Sequence, residues 1–190
     1  MFETLVVDNV VDIEVQRYLK DNIMKTAHWK FLNDVSGKEM QTYPSHGFVH
    51  LMKHPKMDSP AGLYSLMQHL MPAMEKAIGI PVNDQTNYHN RIFLQLPLAE
   101  QYRKEHNGIH VDLPAEQPHI ACVYYVNGSD GDTIIYENTI GGDITNLVEH
   151  KRVIPKRGRM VFFDGSRYHC SSQPKVNYRC IINFDILKAI

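Results

Sequence analysis

His110 and Asp112 stand one residue apart in the stretch HNGIHVDLP, residues 106–114, between an Asn-Gly turn and a proline. On an extended strand, side chains at i and i+2 point to the same side. An imidazole and a carboxylate so placed can share a metal ion, and they can equally share water. Other local patterns offer less. His106 and His110 have the helical spacing of many zinc proteases, but Asn107-Gly108 between them breaks a helix and the Glu of that motif is missing. In NGSDGDTIIYE, residues 127–137, a superficial likeness to a calcium loop fails because apolar Ile134 falls on a ligand position, so a hairpin turn is expected there. Cys170 lies beside His169, and neighbours on a strand face opposite ways, so a thiol–imidazole pair is not expected. There is no Gly-rich phosphate loop and no Gly-x-Ser-x-Gly elbow.

The stretch GRMVFFDGSRYHCSSQPKVNYRCIINFDI, from residue 158, adds weight to the first pair. It reads as a strand, a tight turn, a strand bearing His169, a Gln-Pro turn, and a strand bearing Arg179. His169 would complete a set of two histidines and one carboxylate. Such a set leaves three octahedral positions open, the arrangement of non-heme Fe(II) oxygenases. Arg179 follows His169 by ten residues, a spacing that decides nothing alone. The order of all four residues, on expected strands of one half of the chain, is what counts.

These residues need a frame. The chain has 190 residues, 43% hydrophobic and 22% charged, an ordinary globular composition. Its net charge of −1 provides no global field for nucleic acid or an anionic membrane, so neither partner is expected. The basic run HKRVIPKRGR, residues 150–159, straddles a Pro-Gly turn and reads as a solvated hairpin tip. No stretch approaches the roughly 20 apolar residues of a membrane span. MFETLVVDNVVDIEV lacks a basic n-region, so no secretion signal is expected. Cys122, Cys170 and Cys180 are odd in number and widely spaced, which fits thiols in a reducing compartment, with the cytoplasm as the expected location.

Residues 1–85 read as a helix-rich support. Strands are expected at 4–7 and 48–53. Helices are expected at 12–25, with Asp12 near the start, and at 60–78, where a Leu and Met stripe opens at Ser59-Pro60. Residues 86–190 read as a core of short strands at 91–98, 121–127, 132–138, 159–164 and 178–187, punctuated by turn residues. The whole is expected to be a single α+β domain, a β-sandwich or barrel braced on one face by helices.

With these motifs in order, the sequence resembles the 2-oxoglutarate/Fe(II)-dependent dioxygenases of the prolyl 4-hydroxylase-like group, particularly small bacterial or phage-encoded members. The matching text is HVD (110–112), ACVYYVNGSDGDTIIYE (121–137), PKRGRMVFFDGSRYHCSSQP (155–174) and YRCIINFDI (178–186). The resemblance implies a double-stranded β-helix, a jelly-roll or cupin-like barrel. It implies His110, Asp112 and His169 as Fe(II) ligands, and Arg179 holding the distal carboxylate of 2-oxoglutarate. Tyr125 would add a hydroxyl to that carboxylate, its neighbour Tyr124 facing away, and Asn183 would touch the cosubstrate. O2 completes the reactants, and the implied reaction hydroxylates an unactivated C–H bond with release of succinate and CO2.

Peptidyl proline is the substrate class that the resemblance suggests, with free amino acids and other small molecules as alternatives. Many prolyl 4-hydroxylases carry Lys where Arg179 stands. The nucleic-acid demethylase branch carries a second Arg where this chain has Asp185, which argues against that branch. Tyr102, Arg103 and Lys104 are candidates for the entrance to the site. Two further readings share the barrel: a cupin-like metal site working without 2-oxoglutarate, and a non-catalytic binding module.

Overall fold

The computed structural model describes residues 1–33, 46–54, 63–103 and 105–188. Among the described residues, ten strands and two α-helices follow in the order β1 (Leu5–Val7), α1 (Ile13–Thr26), β2 (Lys30–Leu32), β3 (Gly47–Lys53), α2 (Met71–Ile78), β4 (Asn87–Gln95), β5 (His119–Tyr125), β6 (Thr133–Thr139), β7 (Glu149–Val153), β8 (Met160–Asp164), β9 (Arg167–Ser171) and β10 (Arg179–Leu187). They form a seven-stranded sheet, β1-β8-β5-β10-β4-β3-β2, and a three-stranded sheet, β7-β6-β9. All pairings are antiparallel. An antiparallel bridge between His110 and His169 adds a fourth, one-residue rung to the smaller sheet. This is the expected double-stranded β-helix.

The central strands β5, β8 and β10 of the large sheet are buried on both faces, so they read as nearly continuous apolar runs rather than as alternating ones. Ile120, Cys122, Tyr124, Phe162, Ile182 and Phe184 turn toward the helices and pack with Leu19, Ile23, Met67 and Met74. Ala121, Val123, Tyr125, Phe163 and Ile181 turn the other way and meet Ile135 and Val153 of the small sheet. Each Val, Leu, Ile, Phe or Met among them contributes about 1.5–3 kcal/mol when fully buried. This alternation fixes the register of β10: a slip by one residue would send Arg179, Asn183 and Asp185 into the helix-facing core.

Helix α1 presents buried Gln16, Leu19 and Ile23 at near-helical spacing. Asp12 takes its N-cap position but makes no side-chain capping bond. The helix expected over 60–78 is not continuous. Residues 63–69 form a 3-10 helix, and α2 begins after Leu70 with Pro72 in its first turn. Pro72 has no N–H to donate, so the apolar stripe survives while the backbone ladder restarts. Residues 60–62 lie outside the described residues. Gly79, at φ 71, closes α2 with its N–H on Glu75 O.

Two expected hairpins are crossings between sheets. β5 and β6, joined by NGSDGD, lie in different sheets, as do β7 and β8, joined across PKRG. The turn after β8 also crosses, so the expected strand–turn–strand around His169 is not a paired hairpin. The physical reason is closure: the inward faces of successive strands meet across the barrel, and their backbones pair with strands distant in sequence. β2 and β7 were not expected from the sequence; β7 (EHKRV) is a mostly exposed edge strand rather than a hairpin tip.

Candidate metal centre

The two histidines meet through backbone pairing. His110 N donates to His169 O and His169 N to His110 O, both at 3.0 Å. Directly opposed residues in such a pair put their side chains on the same face, and here the ring centroids are 4.5 Å apart. Asn107 anchors the incoming segment, donating from its backbone to Ser171 O at 2.7 Å and from Nδ2 to Ser171 Oγ at 2.8 Å. His110 Nδ1 lies 2.9 Å from Gly108 O, and His169 Nδ1 lies 3.2 Å from Arg167 O. A carbonyl only accepts, so both Nδ1 atoms carry hydrogen and Nε2 is the atom each ring offers.

Those Nε2 atoms converge on Asp112. His169 Nε2 is 3.2 Å from Asp112 Oδ2, and His110 Nε2 is 3.9 Å from Oδ1. One ligand atom from each of the three residues lies within 4.8 Å of the others. Burial, and then the neighbouring His169 charge, push His110 down to about 4, so it is neutral near pH 7. Burial opposes charge on Asp112 too, but the Arg91 guanidinium and the His169 contact hold its carboxyl well below the usual range. Burial opposes charge on His169 as well; the Asp112 hydrogen bond and charge outweigh it and raise its pKa. The donor set of two imidazoles and one carboxylate fits a divalent metal, which would replace the proton that His169 shares with Asp112.

A cavity of about 230 Å³ opens beside this cluster, and Arg179 is in its wall. Arg179 is 4% exposed. It donates from Nη1 to Gln95 Oε1 at 3.2 Å and from Nη2 to Thr133 Oγ1 at 2.9 Å. Its Nε is buried with no hydrogen-bond partner. Among the described residues no carboxylate pairs with it. Burial accordingly pulls its pKa below the usual arginine value. On β4, Gln95 stands opposite Arg179 and Arg91 opposite Asn183. The two rungs are four residues apart on β10, about 13 Å along the strand.

Tyr125 faces this side and Tyr124 the helices. The Tyr125 hydroxyl donates to Thr133 Oγ1 at 2.7 Å, one step behind the Arg179 contact. Burial pushes its pKa up to about 12, so it stays a donor. Asn183 sits at the other rung, its Nδ2 3.5 Å from Asp112 Oδ2, beside the metal cluster rather than beside Arg179. Tyr102 is exposed, Arg103 is tied to Leu98 O and Lys175 O, and neither lines the cavity. Lys104 lies outside the described residues. The three cysteines are buried and unpaired. Sequence reasoning missed Arg91, Gln95, Thr133 and Ser171. Arg91 and Gln95 left a signal, as polar residues four apart that flank the apolar run Ile92, Phe93 and Leu94.

Comparison with known proteins agrees with this architecture. No family model and no curated protein matches the chain by sequence. Solved structures do match in fold. A 2OG-Fe(II) oxygenase family oxidoreductase from Burkholderia pseudomallei superposes at TM-score 0.67 and 11% identity, covering 96% of this chain and 84% of that one. A prolyl-4-hydroxylase from Pseudomonas putida gives 0.59 and 13%, covering 97% and 92%. The epimerase SnoN, in complex with Fe3+, alpha ketoglutarate and nogalamycin RO, gives 0.63 and 13%, covering 98% and 79%. The chain therefore shares the fold of the 2-oxoglutarate/Fe(II) oxygenases.

Proposed function

We propose that this protein is an Fe(II)- and 2-oxoglutarate-dependent oxygenase that hydroxylates an unactivated C–H bond. The observation that carries the proposal is Arg179, a buried cation with no acidic partner among the described residues, in the wall of the cavity that holds His110, Asp112 and His169. Leaving a charge unpaired in a low-dielectric site is costly, and an anionic ligand offsets that cost. A guanidinium matches a carboxylate with two parallel hydrogen bonds, and a dicarboxylate can reach the metal with its other end.

His110, Asp112 and His169 would hold Fe(II). Arg179 would hold the distal carboxylate of 2-oxoglutarate, with Thr133 beside it and Tyr125 orienting Thr133. Asn183 would touch the metal-bound end. When bound, Fe(II) with 2-oxoglutarate and O2 supplies oxidative decarboxylation to succinate and CO2, coupled to hydroxylation of the substrate. The chain's own share is to orient the cosubstrate, exclude water from the apolar walls formed by Phe93, Val123 and Ile181, and keep His110 neutral.

Peptidyl proline is the proposed substrate class, with a small metabolite as the alternative. The match to a structure named as a prolyl-4-hydroxylase supports the first, and the match to an epimerase structure holding nogalamycin RO supports the second. Residues 1–190 would act as one domain, 1–85 supporting the core at 86–190. The unpaired thiols suit a cytoplasmic location.

The test is succinate formation from 2-oxoglutarate under air with Fe(II), across a panel of proline-containing peptides and small metabolites, with Asp112→Ala alongside. Substrate-stimulated succinate lost in the variant supports the proposal. Equal succinate formation by Asp112→Ala contradicts it.

A further inference from the structure

Asp112 has two oxygens in different surroundings. Oδ2 is the one close to His169 Nε2, at 3.2 Å. Oδ1 accepts a hydrogen bond from Arg91 Nη2 at 2.6 Å. Arg91 is itself held. The same Nη2 lies 3.4 Å from Oδ2 of Asp185, its guanidinium carbon lies 5.4 Å from the Phe93 ring centroid, and Asp185 is fully buried. Asp185 in turn meets His89 Nδ1 at 3.4 Å and His119 Nε2 at 3.9 Å. The strand register places Arg91 opposite Asn183, between the metal cluster and Asp185.

A carboxylate with both oxygens free can bind a metal through one oxygen or through both. The second mode consumes a coordination position. Two histidines and a one-oxygen carboxylate leave three octahedral positions, enough for a two-point chelate and one further ligand. We propose that Arg91 is a positioning residue: it occupies Oδ1 of Asp112, restricts the carboxylate to a single metal-bound oxygen, Oδ2, and so preserves the third open position, with Asp185 as its anchor. The inference rests on the metal-centre reading above and goes beyond it. It treats Arg91 and Asp185 as determinants of coordination number, not only as a buried ion pair.

The experiment replaces Fe(II) by Mn(II) and counts rapidly exchanging metal-bound waters by water-proton relaxation, without cosubstrate. The wild type is expected to hold three. Arg91→Met is expected to hold two, because Asp112 becomes free to bind through both oxygens. Arg91→Lys keeps a donor near Oδ1 and is expected to restore three, an outcome that charge neutralisation elsewhere in the fold would not produce. Arg91→Met strands Asp185. Should that variant fail to fold, Arg91→Met with Asp185→Asn removes the stranded charge and is expected to give the same count of two. Three waters in the folded, Mn(II)-binding Met variant would overturn the inference while leaving the metal centre intact. A wild type that binds no Mn(II) would overturn the inference and the metal-centre reading together.

Discussion

Arg179→Met separates a cation kept for a ligand from one kept for the fold, because the two roles predict opposite results. In the metal-free protein, Arg179 gives up two neutral-partner hydrogen bonds on substitution. Both partners keep another contact: Thr133 Oγ1 still accepts from the Tyr125 hydroxyl at 2.7 Å, and Gln95 Oε1 still accepts from Ser171 Oγ at 3.3 Å. Against that small loss, an unpaired charge is removed from a site that is 4% exposed. Met replaces most of the apolar stem with a flexible chain of similar reach. The expected stability is unchanged or higher by about 1–3 kcal/mol, a melting rise of about 2–4 °C per kcal/mol in a chain of this size. Binding should move the other way. Two hydrogen bonds to a charged group contribute about 1.5–3 kcal/mol each. Losing them should weaken 2-oxoglutarate by at least ~100-fold. Calorimetric titration of 2-oxoglutarate into Mn(II)-loaded wild type and variant measures the second quantity, and thermal melts of the metal-free proteins measure the first. A variant that binds 2-oxoglutarate within ~3-fold of wild type, or one that melts well below it, would refute the reasoning.

Three further outcomes follow from the same geometry. Gly165 donates its N–H to His119 O, and a Cβ there would collide with the His119 ring; Gly165→Ala should therefore cost about 1–3 kcal/mol, read as a lower melting temperature. Asp8 is held down to about 2, first by its Arg159 hydrogen bond, from an unperturbed 3.8. Its folded pKa is the lower one, so its stabilisation is present above 3.8 and is lost as pH falls through about 2. Solvent screening limits the Asp8→Asn effect to at most about 1 kcal/mol at neutral pH, and melts of the two proteins should converge in acid. Metal affinity should fall with acid, since a metal must displace the proton His169 shares with Asp112; because the His169 pKa is raised, the loss should begin at higher pH than for an unperturbed histidine. Mn(II) titrations at a series of pH values check this, and a flat profile would contradict it.

That His110, Asp112 and His169 come together, with Arg179 near them, was legible because these signals are local and ordered. His110 and Asp112 do reach one cluster, but not from a strand: His110 makes a one-residue bridge and Asp112 lies in a bend, whereas Arg179 and Asn183 do share a face of β10 through the two-residue period. What joined them was not legible. The reciprocal backbone pair between His110 and His169 spans more than fifty residues, and nothing near either residue announces the other. Nothing local ties Arg91 and Gln95 to the site; the pairing of β4 with β10 brings them beside Asn183 and Arg179. Turn residues showed where the chain reverses, but not whether the next strand pairs with the last or crosses to the opposite sheet. The helix over 60–78 failed for a readable reason, because Pro72 sits within the apolar stripe.

The most direct test of the central claim is an anaerobic titration of the Fe(II)-loaded protein with 2-oxoglutarate, followed by the visible metal-to-ligand charge-transfer absorption. A band that saturates at one equivalent, and is lost in Asp112→Ala, is the predicted result. Absence of the band in wild-type protein shown independently to hold iron would contradict the account.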